Sequence, residues 1–187
     1  MFSRNKAFRL PRRKISHNLF IPEHAKRYAR LIQATYKYTE IRKININGWS
    51  LIEKNKNNSV YKHFYYGTCL VIAGTNGMRD WIINIDRFLG GTTGINNRIN
   101  DAEKIYKNEI DTIAGHSLGG KVAMELAEKY NKSGILYNPA ITGKIKNKSL
   151  GHRITGDIVS IATQYDDRMT TYPNLSGGGA HGISNFI

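Results

Sequence analysis

Residues 111 to 130 read DTIAGHSLGGKVAMELAEKY, and no other stretch limits the fold as tightly. The short apolar run Ile110 to Ala114 predicts a strand. Leu118 to Tyr130, with Val122, Leu126 and Ala127 facing one way, predicts a helix. Only Gly115-His116-Ser117-Leu118-Gly119 is left to turn the chain from one into the other. So sharp a strand-to-helix turn strains the serine and exposes its hydroxyl above a sheet, while the helix start brings amides and a positive dipole end beside it. Gly115 and Gly119 leave out side chains where neighbouring backbone would collide, and Gly120 lets the helix approach the strand. Ser117 is therefore a candidate nucleophile, the bland alternative being a structural turn that contains a serine. His116 points away from the hydroxyl in such a turn and is read as packing.

Elsewhere the periodicity alternates in the same way. Pro22 to Tyr36 predicts a helix, Trp49 to Glu53 a strand, Asn55 to Asn58 a turn, and Val60 onward and Thr68 to Ala73 two more strands. Met78 to Phe88 predicts a helix carrying Trp81, Ile82, Ile85 and Phe88 on one stripe, broken by Leu89 to Gly94. Asn97 to Tyr106 predicts another helix, and Gly134 to Tyr137 and Ile158 to Thr163 further strands. Strands alternating with helices predict an α/β domain with a largely parallel central sheet and flanking helices. A chain of 187 residues normally holds one such domain. Residues 21–187 are expected to form it, with residues 1–20 as a separable arm.

That arm carries much of the charge. The chain has 28 Lys and Arg against 14 Asp and Glu, a formal net charge of +14. Arg4, Lys6, Arg9, Arg12, Arg13 and Lys14 all precede the first acid, Glu23. Such a balance favours polyanions, an anionic membrane surface or nucleic acid, and a solubilising arm or an assembly contact stays open beside them. The single Cys69 cannot form an internal disulfide, which is compatible with a reducing compartment. The sequence shows no signal-peptide pattern and no apolar run of membrane-spanning length, so the expected location is intracellular or within an assembly or particle.

Several elements, in order over about residues 49 to 187, resemble the class 3 lipase family, the α/β-hydrolases that include fungal triacylglycerol lipases. They are LVIAGTNGMRDWIIN (Leu70 to Asn84), the elbow IAGHSLGGKVAMELA, the strand GILYNPAI, the segment HRITGDIVSIAT and the C-terminal GGGAHGISNFI. The resemblance implies an α/β-hydrolase fold and a serine esterase. In that fold the nucleophile is followed by its acid and then its histidine, which implies Ser117, Asp157 and His181 as the catalytic residues. Asp166 and Asp167 are rival acids. His152 precedes the acid, and His17, His24, His63 and His116 fit the order less well. An oxyanion hole requires two aimed donors. Leu118 N–H follows the nucleophile, and the resemblance implies Thr75 N–H as the second, in a turn that Gly74 permits. Trp81 lies near an acyl site or lid, or is simple core.

The family's histidine-containing element before the long helix is missing from TTGINNRINDAEKIY, so the lid is expected to be minimal or formed by Phe88 to Gly94. The implied substrate is a lipid ester, with phospholipid or another anionic-interface ester favoured over neutral fat. Neither a metal nor an organic cofactor is expected, since no His/Cys cluster has metal spacing. Two other readings stay open: a silent lipase-like structural or nucleic-acid-packaging protein, and a serine hydrolase acting on thioesters or peptides. The sequence leaves the oligomeric state undetermined.

Overall fold

The computed structural model describes residues 20–37, 45–75, 92–160, 166–175 and 179–187. In it eight strands form one sheet whose spatial order follows chain order. They are β1 (Asn45–Ile46), β2 (Trp49–Lys54), β3 (Asn58–His63), β4 (Gly67–Ile72), β5 (Thr112–His116), β6 (Ser133–Tyr137), β7 (Ser149–Ile154) and β8 (Met169–Tyr172). The strands from β1 to β4 pair antiparallel. Those from β4 to β8 pair parallel.

Each face of the sheet is covered by helix. Along β4, Cys69 and Val71 join one apolar cluster and Leu70 and Ile72 the other, as the two-residue period of a strand dictates. On the first face lies α1 (Glu23–Lys37), which buries Ala25, Ala29, Leu31 and Ile32. A terminal 3₁₀ helix (Ile183–Phe186) packs beside it, with Phe186 edge-on to Tyr137 and Tyr172. On the second face lie α2 (Thr92–Glu103) and α3 (Leu118–Lys129). There Ala102, Val122, Leu126 and Ile113 close the core. Each fully buried Leu or Ile contributes about 1.5–3 kcal/mol relative to exposure.

The fold differs from expectation in several places, the short β1 and the 3₁₀ helix among them. Residues 158–160 form a turn, where Ile158 to Thr163 predicted a strand; residues 161–163 lie outside the described part. The cause is Asp157, whose carboxylate accepts the Val159 and Ser160 N–H groups that a strand ladder would need. Helix α2 starts at Thr92, inside the predicted break, because a glycine in a first turn costs little helix. The periodicity assigns no range to β7 or β8, although a strand is expected to deliver Asp157. Their sequences, SLGHRI and MTTY, carry buried or half-buried polar groups in place of an alternating apolar pattern. The arm up to residue 19 and the predicted helix at 78–88 lie outside the described residues. Among the described residues no helix is long and apolar enough to cross a membrane.

Candidate active site

Ser117 joins β5 to α3 with φ 58° and ψ −126°, a conformation that L-residues avoid. Its surroundings enforce it. The Ser117 N–H donates to Tyr137 O at 3.0 Å, and its carbonyl accepts from Gly120 at 2.9 Å and Ala140 at 3.0 Å. A Cβ on Gly115 would fall 2.2 Å from the Gly119 carbonyl oxygen, and one on Gly119 would fall 2.3 Å from that of Ile72. Both contacts are with backbone, so neither glycine can carry a side chain without moving the turn. A Cβ on Gly120 would fall 3.0 Å from Pro139 Cβ and 3.4 Å from the Gly115 carbonyl oxygen of β5, so this glycine lets α3 lie close both to its own strand and to the turn after β6. A serine at a helix N-cap usually bonds its hydroxyl back into the first turn. Ser117 makes no such bond.

Its Oγ lies 2.8 Å from His181 Nε2, and His181 Nδ1 lies 2.8 Å from Asp157 Oδ1. Three residues spread over the second half of the chain thus meet in one hydrogen-bonded row. A carboxylate can only accept, so Nδ1 carries the proton and Nε2 presents its lone pair to the serine hydroxyl. Asp157 is buried at the end of β7. Burial pushes its carboxyl up, but His181, the Ser160 hydroxyl and the Val159 N–H together outweigh that and hold it below the ordinary carboxylate range. The Asp157 loop is tied down by Arg153, which donates to the Asp157 carbonyl at 3.1 Å and to Ser160 Oγ at 3.3 Å. The row opens into a cavity of about 330 Å³ lined by Thr75, Tyr36, Lys37, Gln33 and Ile183 among others.

The turn after β4 abuts the serine, a Cβ on Gly74 falling 3.0 Å from Ser117 Cβ. Ala73 is fixed at both polar atoms: its N–H donates to Asn57 O at 2.9 Å and its carbonyl accepts from Arg98. Thr75, next along, is exposed to the cavity. Leu118 is the first residue of α3, so its N–H has no intrahelical acceptor. Both residues expected to supply backbone donors thus lie beside the serine, Leu118 next to it in the chain and Thr75 in the lining of the same cavity. Trp81 and Phe88 lie outside the described residues.

The rivals sit elsewhere. Asp166 bonds the Ile145 and Arg168 N–H groups at 2.7 and 2.9 Å, and Asp167 is exposed. His152 is buried between Tyr137 and Tyr172 and bonds Tyr172 Oη at 3.0 Å. His63 packs on Trp49 and Tyr66, and His24 lies beside His152. His116 is buried as expected, but it also makes polar contacts: Nδ1 to Tyr36 Oη at 2.9 Å and Nε2 to the His181 carbonyl at 2.7 Å. Asn138 was likewise missed. It holds φ 39°, donates to Ala180 O at 2.9 Å and accepts from Ile154 N–H at 3.0 Å, so it joins β7 to the histidine turn. The Asn-Pro pair at 138–139 is a turn signal that could have marked it.

Two buried histidines make acid stability predictable. Burial, helped by the neighbouring His181, pushes His116 down to about 3, and burial with nearby His24 pushes His152 down to about 4. The unfolded chain takes up protons near 6.5, where the folded chain does not. Stability is therefore full above about 6.5 and falls as the pH drops toward 4, by about 1.4 kcal/mol per pH unit for each histidine. Urea midpoints at pH 7 and pH 4.5 measure this, and equal midpoints would contradict it.

Among the described residues no group of three or more His, Cys, Asp or Glu is placed to hold a metal ion. No family model and no curated protein sequence matches the chain.

Proposed function

We propose that the protein is a serine hydrolase of carboxylic esters, with an α/β-hydrolase fold akin to the class 3 lipases. The observation that carries this reading is the row Ser117–His181–Asp157 on a strained strand-to-helix turn facing a cavity. Ser117 Oγ attacks the ester carbonyl carbon while His181 Nε2 takes its proton. The N–H groups of Leu118 and Thr75 hold the oxyanion, and Asp157 stabilises the imidazolium. The tetrahedral intermediate collapses, the C–O bond breaks, and His181 protonates the departing alcohol. Water, deprotonated by His181, then releases the acid and restores the serine.

A lipid ester is the substrate class proposed. The cavity is at the low end for small-molecule sites, which favours one acyl chain lodged at a time. The charge of +14 favours an ester presented at an anionic surface.

An alkyl fluorophosphonate tests the chemistry, because it phosphonylates an activated serine with loss of fluoride. One adduct per chain, mapped to Ser117, is the expected result. An unlabelled wild-type protein would support the silent-domain reading instead. A panel of phospholipid, short-chain ester and thioester then identifies the bond cleaved.

A further inference from the structure

Three hydrogen bonds beside the proposed site form a connected chain. The Gly74 N–H donates to Tyr36 Oη at 2.6 Å, Tyr36 Oη meets His116 Nδ1 at 2.9 Å, and His116 Nε2 meets the His181 carbonyl at 2.7 Å. None of these groups belongs to the row that would carry the reaction, yet the chain begins at the turn of one proposed oxyanion donor and ends on the backbone of the proposed base.

Its direction is fixed by the inventory of donors and acceptors. The His181 carbonyl can only accept, so His116 Nε2 carries the proton. Nδ1 is then an acceptor, so the Tyr36 hydroxyl donates to it, and a lone pair of Oη receives the Gly74 N–H. Every donor points from the β4 turn toward the histidine turn, the alignment in which successive bonds polarise one another.

Burial keeps the chain neutral as well as directed. Tyr36 is pushed up to about 12, by burial first, and His116 is pushed down to about 3. The groups facing His116 are Tyr36, His181 and, more distantly, Asp157. Steric fit tightens the arrangement further, since a Cβ on Gly74 would fall 2.6 Å from Tyr36 Oη.

We infer that Tyr36 and His116 are positioning residues, a rigid strut that sets the oxyanion turn at Gly74–Thr75 and the His181 turn at a fixed separation across Ser117. This rests on the hydrolase reading for its catalytic consequence, but the strut itself is a statement about hydrogen bonds. Preorganised donors matter only when held to a fraction of an ångström, and a misplacement of about 1 Å can cost on the order of 10²-fold in rate.

The test has two arms. In the first, nitrogen-15 histidine spectra of the full chain report tautomers without any substrate. His116 should appear as the neutral Nε2–H form, and Tyr36→Phe should shift the His181 signals. A His116 carrying its proton on Nδ1, or His181 signals indifferent to Tyr36→Phe, would overturn the strut. In the second, hydrolysis of a soluble short-chain ester is measured per fluorophosphonate-titrated serine. Tyr36→Phe and His116→Leu should lower kcat about 10- to 100-fold with KM within about twofold. His116→Gln, whose amide can still donate toward the His181 carbonyl, should recover part of that loss. Unchanged kcat in Tyr36→Phe and His116→Leu overturns the positioning role while the hydrolase reading stands. A wild type that neither labels nor turns over removes the hydrolase reading, and the spectra then still decide the strut.

Discussion

Ser117→Ala is expected to lower ester turnover by on the order of 10³-fold or more, with little change in melting temperature. The loss follows from removing the only atom that the proposed mechanism uses to form the acyl-enzyme. The fold should persist because the hydroxyl makes no cap bond in α3. The bonds that hold the turn come from the Ser117 N–H and carbonyl, which alanine keeps. Alanine also has the same Cβ in the same left-handed conformation, so the strain is unchanged. Turnover within tenfold of wild type, in a variant with native circular dichroism, would remove Ser117 from the mechanism.

Asp157→Asn should also be severe, lowering kcat by about 10⁴-fold. An asparagine amide facing His181 Nδ1 would turn the imidazole to the wrong tautomer, leaving Nε2 with a proton where a base is needed. The buried loop adds a second penalty, since the carboxylate accepts the Val159 and Ser160 N–H groups as well as His181. The contrast is with the other acids. Asp166→Asn should weaken the bonds to Ile145 and Arg168 and lower the melting temperature slightly, with turnover near wild type. Asp167→Asn, at an exposed position, should change neither. Reversal of that ranking would move the acid to the segment around residue 166.

The elbow was legible in the sequence because everything that forms it is local. A strand period, a helix period and three glycines lie within twenty residues, and the clashes at Gly115 and Gly119 are with chain only a few residues away or with the adjacent strand. Asp157 and His181 could be named from chain order and resemblance, and the fold brings them to Ser117. No local pattern marks either one. Tyr36 and Arg98 left no such trace, and Asn138 left only the Asn-Pro turn signal. Tyr36 looks like one more apolar-stripe residue of an amphipathic helix, and its hydroxyl matters only once α1 lies over the end of β5. Strands β7 and β8 escaped for a related reason: His152 and Arg153 are buried but bonded, and hydrophobic periodicity cannot see a polar group whose partner is far along the chain.

The agreement between strand order and chain order also bears on how the molecule forms. Among the described residues every sheet pairing joins consecutive strands, so each new strand can add to an edge already present, which keeps contact order low for a parallel sheet and favours rapid growth from one end. During synthesis the sheet can advance through β6 with the serine turn already bent. The histidine arrives much later, on a segment anchored by Phe186 against Tyr137 and Tyr172 and packed on α1, which precedes every described strand. A growing chain would thus carry its proposed nucleophile without a base until the segment around His181 folds back onto α1.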